Sequence, residues 1–91
     1  MAGHPIRSSH EFDRQVEELG GYEKLDQVLD PIVDGLYIDP YGYTVLENDW
    51  ISLCRYARTI PQNDLPAFIV LFVIEEDGSV ELREIWPDED Y

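Results

Sequence analysis

An unbroken apolar run, Ala67-Phe68-Ile69-Val70-Leu71-Phe72-Val73-Ile74, constrains this chain more than any other stretch. Eight residues cannot cross a bilayer, which takes about 20. The run is rich in β-branched and aromatic residues, starts after Pro66 and ends in a turn signal, so it predicts a strand buried on both faces. Glu75-Glu76-Asp77-Gly78 follows. Asp-Gly between two strand-like runs predicts a hairpin, because glycine accepts the positive φ of such turns. Ser79 to Trp86 is then the partner strand. Strict alternation puts Val80, Leu82 and Trp86 on one face and Glu81 and Arg83 on the other.

The rest of the chain packs onto this hairpin. Ser8 and Glu11 have capping-box spacing, and Phe12, Val16 and Leu19 then recur on one helical stripe. Gly20-Gly21 ends that helix. A second helix starts near Tyr22, and Leu25, Val28, Leu29, Ile32 and Leu36 keep the 3.6-residue period through Pro31, which predicts one kinked helix. Asp34-Gly35 and Asp39-Pro40-Tyr41-Gly42 are break signals, so residues 38–49 are expected as a loop rich in tyrosine around Tyr37, Tyr41 and Tyr43. Tyrosines there cap the open end of the core or form a recognition surface. Trp50 to Thr59 alternates as a strand, with Cys54, Tyr56 and Arg58 on one side and Arg55 and Ala57 on the other. Residues 1–8 are a flexible lead-in or a short edge strand at Pro5-Ile6-Arg7. The expected architecture is a single α+β domain over residues 1–91, a helical hairpin packed on a small antiparallel sheet of three to four strands.

Charge limits the partners. Six Lys and Arg face twenty Asp and Glu, a net of −14. Such a field repels phosphate backbones and anionic lipid surfaces. It suits solubility, a salty cytoplasm, a basic protein partner, or mimicry of nucleic acid before a basic protein. The single cysteine excludes an internal disulfide and fits a reducing compartment. With no apolar leader and no spanning segment, the expectation is a cytoplasmic protein.

No catalytic motif stands out. His4 and His10 have no metal-ligand spacing with Cys54 or with each other, and Gly20-Gly21 is not a phosphate loop, so no metal or cofactor is expected. The clusters Glu75-Glu76-Asp77 and Asp88-Glu89-Asp90 lack the ligand alternation of a calcium loop. Arg55, Arg58 and Arg83 are more informative. If the faces bearing Arg55 and Arg83 coincide, the two make a small basic spot for a phosphate. Otherwise they pair with Glu81, Glu84 and neighbouring acids.

The layout resembles the RelE/ParE-like superfamily of bacterial toxin–antitoxin modules, in order of elements over roughly residues 6–91. The features that carry the resemblance are the helical hairpin around Phe12 and Leu25-Val28-Leu29, the loop Ile38-Asp39-Pro40-Tyr41-Gly42, the strand Ser52-Leu53-Cys54-Arg55, the hairpin Ile69 to Gly78, and the terminal Tyr91. The resemblance implies a catalytic set of Arg55, Arg83 and Tyr91, in members that cut messenger RNA without a metal, or a gyrase-directed inhibitor; it also implies an antitoxin as partner. Three departures point to a non-catalytic relative. Trp86-Pro87 stands where a basic pair often precedes the terminal tyrosine, the central strand is wholly apolar, and the overall charge is reversed. The leading expectation is therefore a small acidic protein that acts through protein–protein contacts, with an antitoxin, another protein or a second copy of the chain as partner.

Overall fold

The computed structural model describes residues 3–46, 54–62 and 64–88. In chain order they form β1 (Ile6–Ser8), α1 (His10–Glu18), α2 (Tyr22–Ile38), a 3-10 turn (Pro40–Gly42), β2 (Thr44–Leu46), β3 (Cys54–Arg58), β4 (Phe68–Ile74) and β5 (Val80–Pro87). The sheet has five strands in the order β1-β5-β4-β3-β2. It is mixed: β1 runs parallel to β5, and the other pairs are antiparallel. The α+β class holds, but the sheet is larger than the three to four antiparallel strands expected. The extra strand, β2, lies in the stretch 38–49 read as loop, where its three residues are too few to show a period. The parallel pair joins opposite ends of the chain, Ile6 to Val80 and Ser8 to Leu82, which local patterning does not reveal.

The helices start where the backbone finds caps. The N-cap of α1 is Ser9, not Ser8: the Phe12 N–H donates to Ser9 Oγ at 3.1 Å. Ser8 remains in β1, and the chain turns one residue later, where Ser9 N–H donates to Leu82 O at 2.9 Å. Glu11, freed from a capping box, pairs with Arg14. Gly20 and Gly21 both take positive φ, 128° and 91°, as the chain reverses between the helices. Helix α2 continues through Pro31, whose side is exposed to water.

Phe12 and Val16 of α1 and Leu25, Val28, Leu29, Ile32 and Leu36 of α2 pack onto one face of the sheet. That face contributes Ala57, Phe68, Val70, Phe72, Val80, Leu82 and Ile85. The β4–β5 turn closes as the Asp-Gly signal predicts, with Gly78 at φ 88° and Glu75 N–H donating to Ser79 O at 2.7 Å.

Strand β5 departs from simple alternation. Phe72 lies opposite Leu82, yet its neighbour Leu71 lies opposite Glu84, so Arg83 is an extra residue in a β-bulge. The bulge resets the pleat. Ile85 turns into the core, 2 % exposed, and Trp86 turns outward, 40 % exposed. The expected grouping of Trp86 with Val80 and Leu82 is thus corrected. The expectation that β4 is buried on both faces holds in part: on the side away from the helices Val73 is buried, and Ile69 and Leu71 are half-buried.

Phe72 is fully enclosed at the centre of the helix-facing layer. Phe72→Ala should cost ~3–5 kcal/mol of stability, measured by chemical denaturation, as for a core aromatic truncated without collapse of the cavity. A change under ~1 kcal/mol would contradict the core described here.

Candidate functional site: the open sheet face

The arginines singled out by the sequence do not converge. Arg55 faces Phe72 across the ladder and so lies on the helix side of the sheet. Its Nη1 donates to the carbonyls of Tyr43 at 2.8 Å and Tyr41 at 3.3 Å. Its guanidinium lies 5.8 Å from the Tyr41 ring centroid, within cation–π range. Arg55 therefore clamps the 3-10 turn and β2 onto β3. Tyr43 continues the clamp inward, edge-on to Phe72 with centroids 5.6 Å apart. Its hydroxyl sits where a Cβ on Gly35 would collide with it, so a side chain at that position of α2 would have to displace Tyr43. His4 closes the corner: its Nδ1 is 2.8 Å from Gly78 O, and its ring meets Tyr41 edge-on. Tyr37 and Tyr41 remain exposed at this corner, while Tyr43 is half-buried.

Arg83 is on the other side. As the bulge residue it ion-pairs with Glu81, which faces Val73 on the outer face and also meets Arg7 at 3.5 Å. The basic spot that required Arg55 and Arg83 on one face does not form. Tyr91, the third residue of the implied catalytic set, lies outside the described residues, as do Trp50, Ile51, Ser52 and Leu53 of the expected β3.

The outer face is where the unexpected chemistry lies. Across β3, β4 and β5 the register sets three rows: Arg58, Ile69 and Trp86; Tyr56, Leu71 and Glu84; Cys54, Val73 and Glu81. Six of these nine positions are apolar or aromatic. An antiparallel sheet with helices on one face ordinarily turns polar residues to water on the other. Here the row of β4 stays as apolar outside as inside. Arg58 is held by Asp88 at 2.7 Å at one end, and Glu81 is doubly paired at the other. Glu84 is exposed, and its carboxylate has no ion-pair or hydrogen-bond partner among the described residues. A cleft of about 300 Å³ opens beside it, walled by Leu71, Cys54, Arg83, Glu81 and the start of α1 at Ser9 and Glu11. The sequence carries two signals for this face: the unbroken apolar run 67–74, which makes the outer row of β4 apolar, and the apolar residues at 80, 82 and 85, whose uneven spacing marks the bulge.

The strongest titration shift lies elsewhere. Tyr22, at the start of α2, donates to Asp13 Oδ1 at 2.6 Å, and Ser8 Oγ donates to the same oxygen at 2.7 Å. Burial, and then the bond to Asp13, push the Tyr22 hydroxyl up to about 12. The bonds from Tyr22 and Ser8 hold the Asp13 carboxyl below its ordinary value. The trio ties β1, α1 and α2 together and is a structural clamp. In the β4–β5 turn, the Ser79 hydroxyl and N–H similarly lower the Asp77 carboxyl. Among the described residues no three His, Cys, Asp or Glu side chains are grouped to hold a metal. No helix of the described residues is long and apolar enough to cross a membrane.

Compared with known proteins, the chain matches no family model, no curated protein and no solved structure.

The clamp fixes a pH dependence. The raised Tyr22 value means its contribution is complete below pH 10, the ordinary tyrosine value, and is lost as pH rises from 10 towards 12. The lowered Asp13 value means its contribution is complete above 3.8 and is lost as pH falls below that value. Tyr22→Phe should cost ~1 kcal/mol at neutral pH. Denaturation midpoints should converge with wild type as pH rises from 10 to 12. Parallel profiles across that window would remove Tyr22 from the clamp.

Proposed function

We propose that this chain works by contact with another protein, through the open face of its sheet, on a scaffold laid out like the RelE/ParE-type toxins and without cutting RNA. The observation that carries the reading is the outer layer itself: Tyr56, Ile69 and Leu71, half-buried, and Trp86, exposed, stand side by side on the sheet face turned away from the helical core layer. The largest apolar patch on a protein surface is often functional, even at the few hundred Å² ordinary for a monomer. Trp, Tyr and Arg, the residue types that most often dominate binding energy, are all present on it.

The chemistry for RNA cleavage is correspondingly weak. Arg55 is occupied with backbone carbonyls on one face, and Arg83 with Glu81 on the other. Two cations on opposite faces cannot brace one scissile phosphate, because charge stabilisation acts only over a few ångströms with donors aimed at one point. The −14 net charge further opposes approach of an RNA backbone.

The test places a photo-crosslinking amino acid at Leu71 or Ile69, and in separate variants at Glu23 or Asp26 on the exposed side of α2. Expressed in cells, the sheet-face variants should form discrete protein adducts and the helix variants should not. Adducts only from the helix positions, or from none, would overturn the contact reading. Expression of the wild-type chain alone should leave growth and messenger RNA intact. Growth arrest with cleaved messages would restore the toxin reading.

A further inference from the structure

The chemistry of the open face narrows what can sit on it. Resting on the contact reading above, we propose that the face binds a single apolar segment of a partner protein that carries one lysine or arginine, with that cation seated on Glu84.

Size comes first. In the third row Val73 and Cys54 are buried, 5 % and 7 % exposed, so the open part is two rows on three strands about 4.8 Å apart, roughly 14 by 14 Å. That is about 200 Å², against the about 800 Å² per partner of a standard interface between two folded proteins. The patch is too small to hold a second copy of this chain by itself, and two copies would bring together two bodies of −14 each. It is the right width for one helix, about 10 Å across, or one extended segment.

Charge comes next. Of the charged groups in the three rows, Arg58 is neutralised by Asp88, and Glu81 by Arg7 and Arg83. Glu84 alone is left uncompensated among the described residues. It stands at the end of the middle row, directly across from Leu71 and next to Trp86 in the adjacent row. The cleft of about 300 Å³ beside it has Leu71 and Cys54 for an apolar wall and Glu11, Glu81 and Glu84 for acids, against Arg83. A long side chain with an apolar stem and a cationic head fits both walls: the stem covers Leu71 and the head meets Glu84. An anionic or purely apolar segment would leave that carboxylate repelled or desolvated without a partner.

The probe is a display library of random peptides of about 16 residues, ~24 Å long as a helix, selected against the full chain. Selected peptides should combine aliphatic or aromatic residues with at least one Lys or Arg. Their affinity should fall more than about tenfold on Leu71→Glu. Glu84→Gln should weaken binding by a factor of about 2–5, the value of one exposed ion pair, and flatten its salt dependence. Trp86→Ala, at an exposed position, gives the same readout where Leu71→Glu fails to fold by circular dichroism. Peptides without a cation, binding unchanged in all three variants, or no selected peptide at all would overturn the proposal. So would a dimer in sedimentation that Leu71→Glu dissociates, which would make a second copy the occupant. Cellular crosslinks at Leu71 alongside any of these failures would leave the contact reading standing and remove only the partner chemistry.

Discussion

The pairing of β4 with β5 carries this fold, and one extra residue in that pairing decides what the molecule shows to water. With a regular ladder, Trp86 would follow Val80 and Leu82 into the core and Ile85 would point outward. The bulge at Arg83 exchanges them. Ile85 then completes the layer that meets α1, and Gln15 of that helix accepts the Ile85 N–H at 2.7 Å. Trp86 joins Ile69 on the far side. The helices are held in place by the inner layer, and the open face is what the same register leaves outside. Core and candidate interface are therefore two sides of one strand pairing, and a change of register by a single residue would exchange them.

The apolar outer row of β4 has a cost that makes it informative. Val73 and Cys54 are 5 % and 7 % exposed, while Leu71, Ile69 and Tyr56 are only half-buried. Both edges of β4 are paired, so any tendency to associate comes from its uncharged outer row of Ile69, Leu71 and Val73 rather than from an open edge. The acidic balance of the rest of the chain counters this by keeping copies apart.

Much of the architecture was legible in local pattern. The apolar run and Asp-Gly give the β4–β5 hairpin, the 3.6-residue stripes give both helices, and Gly20-Gly21 gives the turn between them. What escaped depends on distant partners. Strand β1 exists because Val80 and Leu82 offer it a parallel edge, and β2 because Tyr56 and Cys54 offer it an antiparallel one. The cap moved from Ser8 to Ser9 because pairing with β5 holds Ser8 extended. Arg55 could be seen as a notable cation on a strand. Its work as a clamp could not, because its acceptors are the carbonyls of Tyr41 and Tyr43, in a stretch the pattern marks only as loop. The candidate site was the least legible part. The unbroken run 67–74 and the odd spacing of Val80, Leu82 and Ile85 are its traces, and reading them requires knowing which of the two faces the helices cover.

The outward turn of Trp86 is the consequence on which the open face depends, and it can be measured in isolation. In a Trp50→Phe variant Trp86 is the only tryptophan, since the chain has two. Its emission should lie to the red of a core tryptophan's, and acrylamide should quench it in the folded protein to an extent between that of a buried tryptophan and that of the unfolded chain. Blue-shifted emission protected from acrylamide in the native state would mean that Trp86 lies in the core, that the bulge at Arg83 is absent, and that the sheet has no open apolar face.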